Sequence, residues 1–255
     1  MQTTPVIQQY LEIKASHLDA LLFFRMGDFY ELFFSDAEIA SAALNIILTK
    51  RGQHRGKDIP MCGVPFHSAE GYIKTLLDKN MKVAICEQLE TPKEAKKRGY
   101  KEIVKRDVVR IITPGTKLEE SFLVQKENNI LMALFFFDNN WASCWIDIST
   151  GLFKSTISNE SHLLSLIDQI SPKETISYAN KKELSILKSY TPIEITWLES
   201  KKKFSRDILI DYLSSFFDPE RLQKLDTGLL GSISLLVEYL KKNKNLFLDH
   251  FDIPE

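Results

Sequence analysis

Residues 25–34 read Arg25-Met26-Gly27-Asp28-Phe29-Tyr30-Glu31-Leu32-Phe33-Phe34. Apolar Leu21 to Phe24 precedes the stretch, and Phe29 to Phe34 follows Met26-Gly27-Asp28. Aromatic runs flanking a Gly-Asp turn predict two strands joined tightly. In an extended segment, residues i and i+2 share a side. Phe29 and Glu31 therefore project together, while Tyr30 and Leu32 face the other way. A ring beside a carboxylate has two uses. Buried, it is ordinary core. Exposed, it can enter a base stack while the carboxylate accepts a hydrogen bond from a base edge, or donates one if protonated.

On the N-terminal side, Pro5 in a first turn and Ile7, Leu11 and Leu18 near helical spacing predict a helix over 5–18. On the C-terminal side, Asp36 to Leu44 predicts a helix capped by Asp36. A strand over Ile46–Thr49, a polar loop over Lys50–Asp58, a capped helix over Ser68–Lys79 and a strand over Lys82–Glu87 follow. Residues 90–101 are a charged loop with some helix. Ile103–Ile112 is one irregular strand or a pair, and Thr113-Pro114-Gly115-Thr116 breaks the pattern. A meander then runs through Ile130–Phe137, Trp141–Ile148 and Leu152–Ile157, with turn residues at Asp138-Asn139-Asn140 and Ser149-Thr150-Gly151. Helix and strand alternate over His162–Ile170, Thr175–Tyr178, Lys181–Lys188 and Ile193–Trp197, which predicts an α/β sheet. Asp207–Phe217 and Gly228–Lys241 read as helices.

A chain of 255 residues suggests two domains. No run of about 18 apolar residues predicts a membrane span. The start, Met1-Gln2-Thr3-Thr4-Pro5, lacks the basic and apolar regions of a signal peptide. Three widely spaced cysteines, Cys62, Cys86 and Cys144, suit reduced thiols in a cytoplasmic protein. Cys62 with His67 makes no complete tetrahedral metal set, so no metal site is expected. The net charge of −1 does not announce a nucleic-acid binder, but its distribution is uneven. Residues 1–110 carry 17 Lys and Arg against 14 Asp and Glu, and the remainder carries 16 against 20. Residues 46–57 hold Lys50, Arg51, Arg55 and Lys57 with no acid, and residues 93–110 hold eight basic residues against three acidic ones. Such local patches make phosphate contacts; solvated helix and loop faces look the same in sequence.

Five blocks, in order, resemble the N-terminal part of the MutS family of DNA mismatch-repair sensors. They are Phe23 to Glu31, Leu48-Thr49-Lys50-Arg51-Gly52, Ile59 to His67, Val83-Ala84-Ile85-Cys86-Glu87-Gln88 and Val108 to Thr116. From about residue 120 the chain resembles the family's connector, with looser motifs such as Asp147-Ile148-Ser149-Thr150-Gly151. The resemblance implies a mixed α/β mismatch-recognition domain over 1–115, an RNase H-like α/β connector over 116–245, and the start of a helical core over 246–255. It implies that Phe29 stacks on a mispaired base and Glu31 hydrogen-bonds to it. Lys50 and Arg51 would meet the DNA backbone, and Met61 and Pro65 would lie along the minor groove or pack under their loop. Mismatched double-stranded DNA and a MutL-type repair protein are the implied partners, with a homodimer in the full-length protein.

The family's ATPase needs Gly-x-x-x-x-Gly-Lys-Ser/Thr to wrap phosphates. No such string occurs here, so no catalytic residue and no cofactor is expected in this chain; ATP and magnesium would belong to a C-terminal part. An RNase H-like fold raises the alternative of a metal-dependent nuclease with an accessory DNA-binding domain. Two-metal nucleases need several converging carboxylates. Asp147 stands at a strand end without acids at matching ends, and a turn-supporting role is the expectation.

Overall fold

The computed structural model describes residues 4–99, 102–117, 129–178, 195–198, 205–244 and 252–254. The described chain divides into two compact units, with the boundary in sequence between Pro114 and Gly115. The first opens with helix α1 (Pro5–Ala15), where the Thr4 hydroxyl accepts from the Ile7 N–H and Pro5 occupies the first turn. Its described strands are β1 (Leu21–Met26), β2 (Phe29–Phe33), β3 (Thr49–His54), β4 (Lys57–Pro65), β5 (Val83–Gln88) and β6 (Arg106–Ile112). They form one sheet in the order β3-β4-β2-β1-β5-β6, in which β1 and β5 run parallel and the other neighbours antiparallel. Helices α2 (Phe34–Leu44), α3 (Ala69–Leu77) and α4 (Pro92–Arg98) belong to the same unit.

Alternation along the strands gives the sheet two apolar faces. Phe23, Tyr30, Leu32 and Val64 pack with Ala37 and Ala40 of α2 and with Ile73 and Leu76 of α3. Leu22, Phe24, Phe33 and Cys86 pack on the other face with Ile7 and Tyr10 of α1. Phe29 belongs to neither cluster.

Three local expectations are corrected here. Asp36 does not cap α2: the helix starts at Phe34 after Phe33, and Asp36 is buried. Its carboxylate accepts from the Leu22 N–H at 2.9 Å, lies 3.2 Å from the Tyr10 hydroxyl and pairs with Lys14 at 2.9 Å. The Ser68 hydroxyl donates to the Pro65 carbonyl instead of capping α3. Residues 50–58 are not a loop but the hairpin of β3 and β4, turned at Arg55-Gly56 with φ of 51° and 78°. Two positive φ values match the twist of a two-residue hairpin. The hairpin carries no apolar alternation because its β3 strand is solvated along almost its whole length.

The second unit holds β7 (Ile130–Phe137), β8 (Asn140–Asp147), β9 (Leu152–Ser158), α5 (Glu160–Ile170), β10 (Glu174–Ser177), β11 (Ile195–Trp197), α6 (Arg206–Leu213), α7 (Pro219–Leu222) and α8 (Thr227–Lys242). Its sheet runs β11-β10-β7-β8-β9, an antiparallel meander extended by two parallel strands. Both units are thus mixed α/β, as expected. Trp141 and Trp145 pack with Leu163 and Ile167 of α5 on one face. Ile146 and Ile176 pack with Ile233, Leu236 and Leu240 of α8 on the other.

The helix expected over 207–217 ends at Leu213, where the Ser214 N–H turns back to the Ile210 carbonyl. The helix expected over Lys181–Lys188, the first two residues of the strand expected over Ile193–Trp197, and most of 246–255 lie outside the described residues.

Asp36→Ala is expected to destabilise the first unit by about 1–3 kcal/mol, because it removes the buried acceptor of the Leu22 N–H, while the half-buried Lys14 ammonium keeps the Ala20 carbonyl at 2.6 Å. Urea unfolding checks this, with Glu38→Ala on the exposed side of α2 expected within about 0.5 kcal/mol of the parent.

Candidate nucleic-acid interface

The β1–β2 hairpin pairs Met26 with Phe29, so Gly27 and Asp28 form a two-residue turn. Gly27 has φ of 60°, a conformation that costs a residue with a Cβ about 1–2 kcal/mol. The turn is tied from two sides. The Arg25 Nε donates to the Gly27 carbonyl at 2.5 Å, and the Phe66 N–H donates to the Asp28 carbonyl at 2.8 Å.

Behind the turn, the Arg25 guanidinium lies 3.5 Å from the Phe66 ring centroid and 5.5 Å from that of Tyr30. It pairs with Glu87 at 3.6 Å, and the Tyr30 hydroxyl donates to the same carboxylate. Burial, then the hydrogen bond to Glu87, pushes the Tyr30 hydroxyl well above its ordinary pKa. Tyr30 is 6% exposed and is core.

The opposite side of β2 is different. Phe29 is 46% exposed, and its register partner on β4 is Pro65. Glu31 stands two residues on, opposite Gly63. A Cβ at residue 63 would lie 3.7 Å from the Glu31 Cγ and 3.9 Å from the Phe29 ring, so the absent side chain leaves space beside both. The Glu31 carboxylate pairs with Arg51. Arg51 and Gly52 occupy the step where the β3–β4 register shifts between Lys50–Pro60 and Gln53–Asp58. Such a bulge re-aims a side chain.

Arg106 closes the neighbouring edge. Its Nε donates to the Arg25 carbonyl at 2.7 Å and its Nη1 to Gln9 Oε1 at 3.0 Å, with the guanidinium 4.9 Å from the Phe24 ring centroid. Burial lowers its pKa, and the charge of Glu31 acts in the opposite direction.

The fold therefore brings Phe29, Glu31, Arg51 and Pro65 together. Met61 sits further along β4, opposite Phe33, half-buried against the α1-side cluster. Lys50 is exposed on the edge hairpin and donates to Asp58 at 2.7 Å; that bond raises the Lys50 pKa and lowers that of Asp58. The sequence reading gave Arg25, Phe66, Glu87 and Gln9 no role beyond their place in the matching stretches, and Arg106 none beyond its place in a basic patch. They come from separate elements, and no local spacing marks them.

Two family descriptions match the chain: MutS domain I over residues 4–121 and MutS domain II over residues 129–252. The chain belongs to the MutS family. It is similar to the DNA mismatch repair protein MutS of Wolbachia pipientis wMel, 52% identical over 193 residues. That match covers 74% of this chain and 23% of the relative, so the chain spans about a quarter of the relative's length. In MutS domain II, Asp147 is 1% exposed. Its two oxygens accept from the Asn129 N–H at 3.0 Å, the Ser149 N–H at 3.0 Å and the Ser149 hydroxyl at 2.6 Å. Among the described residues, no group of three His, Cys, Asp or Glu is placed to hold a metal ion, and no helix is long and apolar enough to cross a membrane.

Arg25→Ala is expected to loosen the turn locally. Loss of the stacking and of the Glu87 pair, worth about 1–2 kcal/mol together, should speed hydrogen exchange of the Phe66 amide by roughly tenfold. Exchange of the β5 amides should stay at the parent rate.

Proposed function

We propose that this chain recognises mispaired sites in double-stranded DNA by wedging Phe29 into the base stack. The observation that carries the reading is Phe29 itself: a large ring, 46% exposed, held on a two-residue turn that is braced from behind. A wedge unstacks a base step at a cost of a few kcal/mol, and the cost is least where pairing is already lost. Selectivity then follows deformability, not the letters of the sequence. Glu31 lies beside the ring and hydrogen-bonds the displaced base. Pro65 supplies a rigid flank without an N–H. Lys50, with Arg55 and Lys57 of the same solvated hairpin, contacts phosphates and positions the chain without reading sequence.

The second unit acts as a connector without catalysis. Among the described residues, the polar contacts of the Asp147 carboxylate are made to its own turn and to Asn129, which supports a structural role over a cation-binding one. The full-length protein would add the homodimer, the ATP- and magnesium-dependent steps and a MutL-type partner docking on the connector. Three buried thiols suit its work in the cytoplasm.

Phe29→Ala is expected to abolish the difference in affinity between mismatched and matched duplexes in a fluorescence-anisotropy titration. Its unfolding free energy should fall by well under the roughly 3–5 kcal/mol of a core Phe→Ala cavity. Retained discrimination, or a core-sized loss of stability, would return Phe29 to the interior. Lys50→Gln is expected to weaken both duplexes alike and to flatten the slope of log K against log salt by about one unit.

A further inference from the structure

The ion pair between Glu31 and Arg51 gives the carboxylate a partner before any DNA arrives. Glu31 lies 20 residues from Arg51 in sequence, and β4 stands between their strands. Two features bring them together. The bulge at Arg51-Gly52, with Gly52 at φ 68°, sets Arg51 off the regular ladder. The residue opposite Glu31 on β4 is Gly63, which puts no side chain between them. The Glu31 side chain is 15% exposed and that of Arg51 45%, so the carboxylate beside Phe29 is largely covered and its partner is partly open to solvent. Lys50, its neighbour, is committed elsewhere, to Asp58.

We propose that Arg51 is a specificity-determining residue that occupies Glu31 in the DNA-free chain, so that a displaced base must compete with Arg51 for the carboxylate. The inference rests on the wedge reading of Phe29 and Glu31. A matched duplex leaves the pair closed, since no base edge reaches Glu31. A mispair opens it and loses the ion pair while gaining the base contact. A partly exposed pair changes an equilibrium constant by about two- to fivefold, and less as salt screens it. Arg51 therefore limits discrimination at low salt more than at moderate salt.

The test is a titration of the parent chain, Arg51→Gln, Arg51→Lys, Glu31→Gln and the Arg51→Gln/Glu31→Gln double variant against matched and mismatched duplexes at low and moderate salt. Arg51→Gln should raise the mismatched-to-matched affinity ratio by about two- to fivefold at low salt and leave it nearly independent of salt. Arg51→Lys should return the ratio toward the parent value. In the Glu31→Gln background, Arg51→Gln should leave the ratio unchanged. An unchanged ratio in the Arg51→Gln variant, with both duplexes weakened equally and a salt slope smaller by about one unit, would make Arg51 a backbone contact and overturn the inference. The same change of ratio with Glu31 already replaced would also overturn it. Phe29→Ala separates the two readings. If that variant keeps parental discrimination, the wedge itself fails; if it loses discrimination while Arg51→Gln leaves the ratio unaltered, only the competition fails.

Discussion

The Arg25 guanidinium, stacked 3.5 Å from the Phe66 ring centroid and paired with Glu87, decides where Phe29 stands. A two-residue hairpin alone is marginal in water. Here the turn is held at the back by a cation between an aromatic ring and a carboxylate, and at its tip by the Phe66 N–H on the Asp28 carbonyl. The Phe29 end of β2 can then remain uncovered without the hairpin opening, while Phe33 on the same side is buried against α1. Tyr30 makes the same point from within β2, since its ring enters the core while its hydroxyl reaches Glu87.

A second constraint lies at the other end of the same strand. β2 passes into α2 without a loop, and Phe34 takes a φ of 53°. A bulky residue in that region is strained by about 1–2 kcal/mol. The Phe34 ring packs against Tyr10 and His54, with centroids 6.1 and 5.9 Å away, and Asp36 just beyond gathers the Leu22 N–H and Lys14. β2 is thus pinned at both ends, which keeps Phe29 and Glu31 in fixed register beside Pro65 and Gly63.

Charge works locally in this protein. The whole chain carries a net charge of −1, yet the β3–β4 hairpin presents Lys50, Arg51, Arg55 and Lys57. Two of these cations are paired in the DNA-free state, one with Asp58 and one with Glu31. Paired surface cations contribute little to stability, and so can be exchanged for other partners at small cost.

Much of the fold was legible in the sequence because it rests on local chemistry. The alternation around Gly27-Asp28 marked the β1–β2 hairpin and set Tyr30 on the side opposite Phe29. Asp138-Asn139-Asn140 and Ser149-Thr150-Gly151 marked the meander. The grouping of Phe29 with Glu31 followed from the period of two. Residues 50–58 read as a loop because a solvated edge hairpin has no apolar period, and Asp36 read as a cap because burial is invisible to spacing. The Arg25–Phe66–Glu87 brace, the Arg106–Gln9 bond across 97 residues and the Glu31–Arg51 pair were decided only by the tertiary structure. Each joins elements whose adjacency depends on sheet order, and sheet order is set by which faces α1, α2 and α3 can bury, not by the neighbours of any one residue.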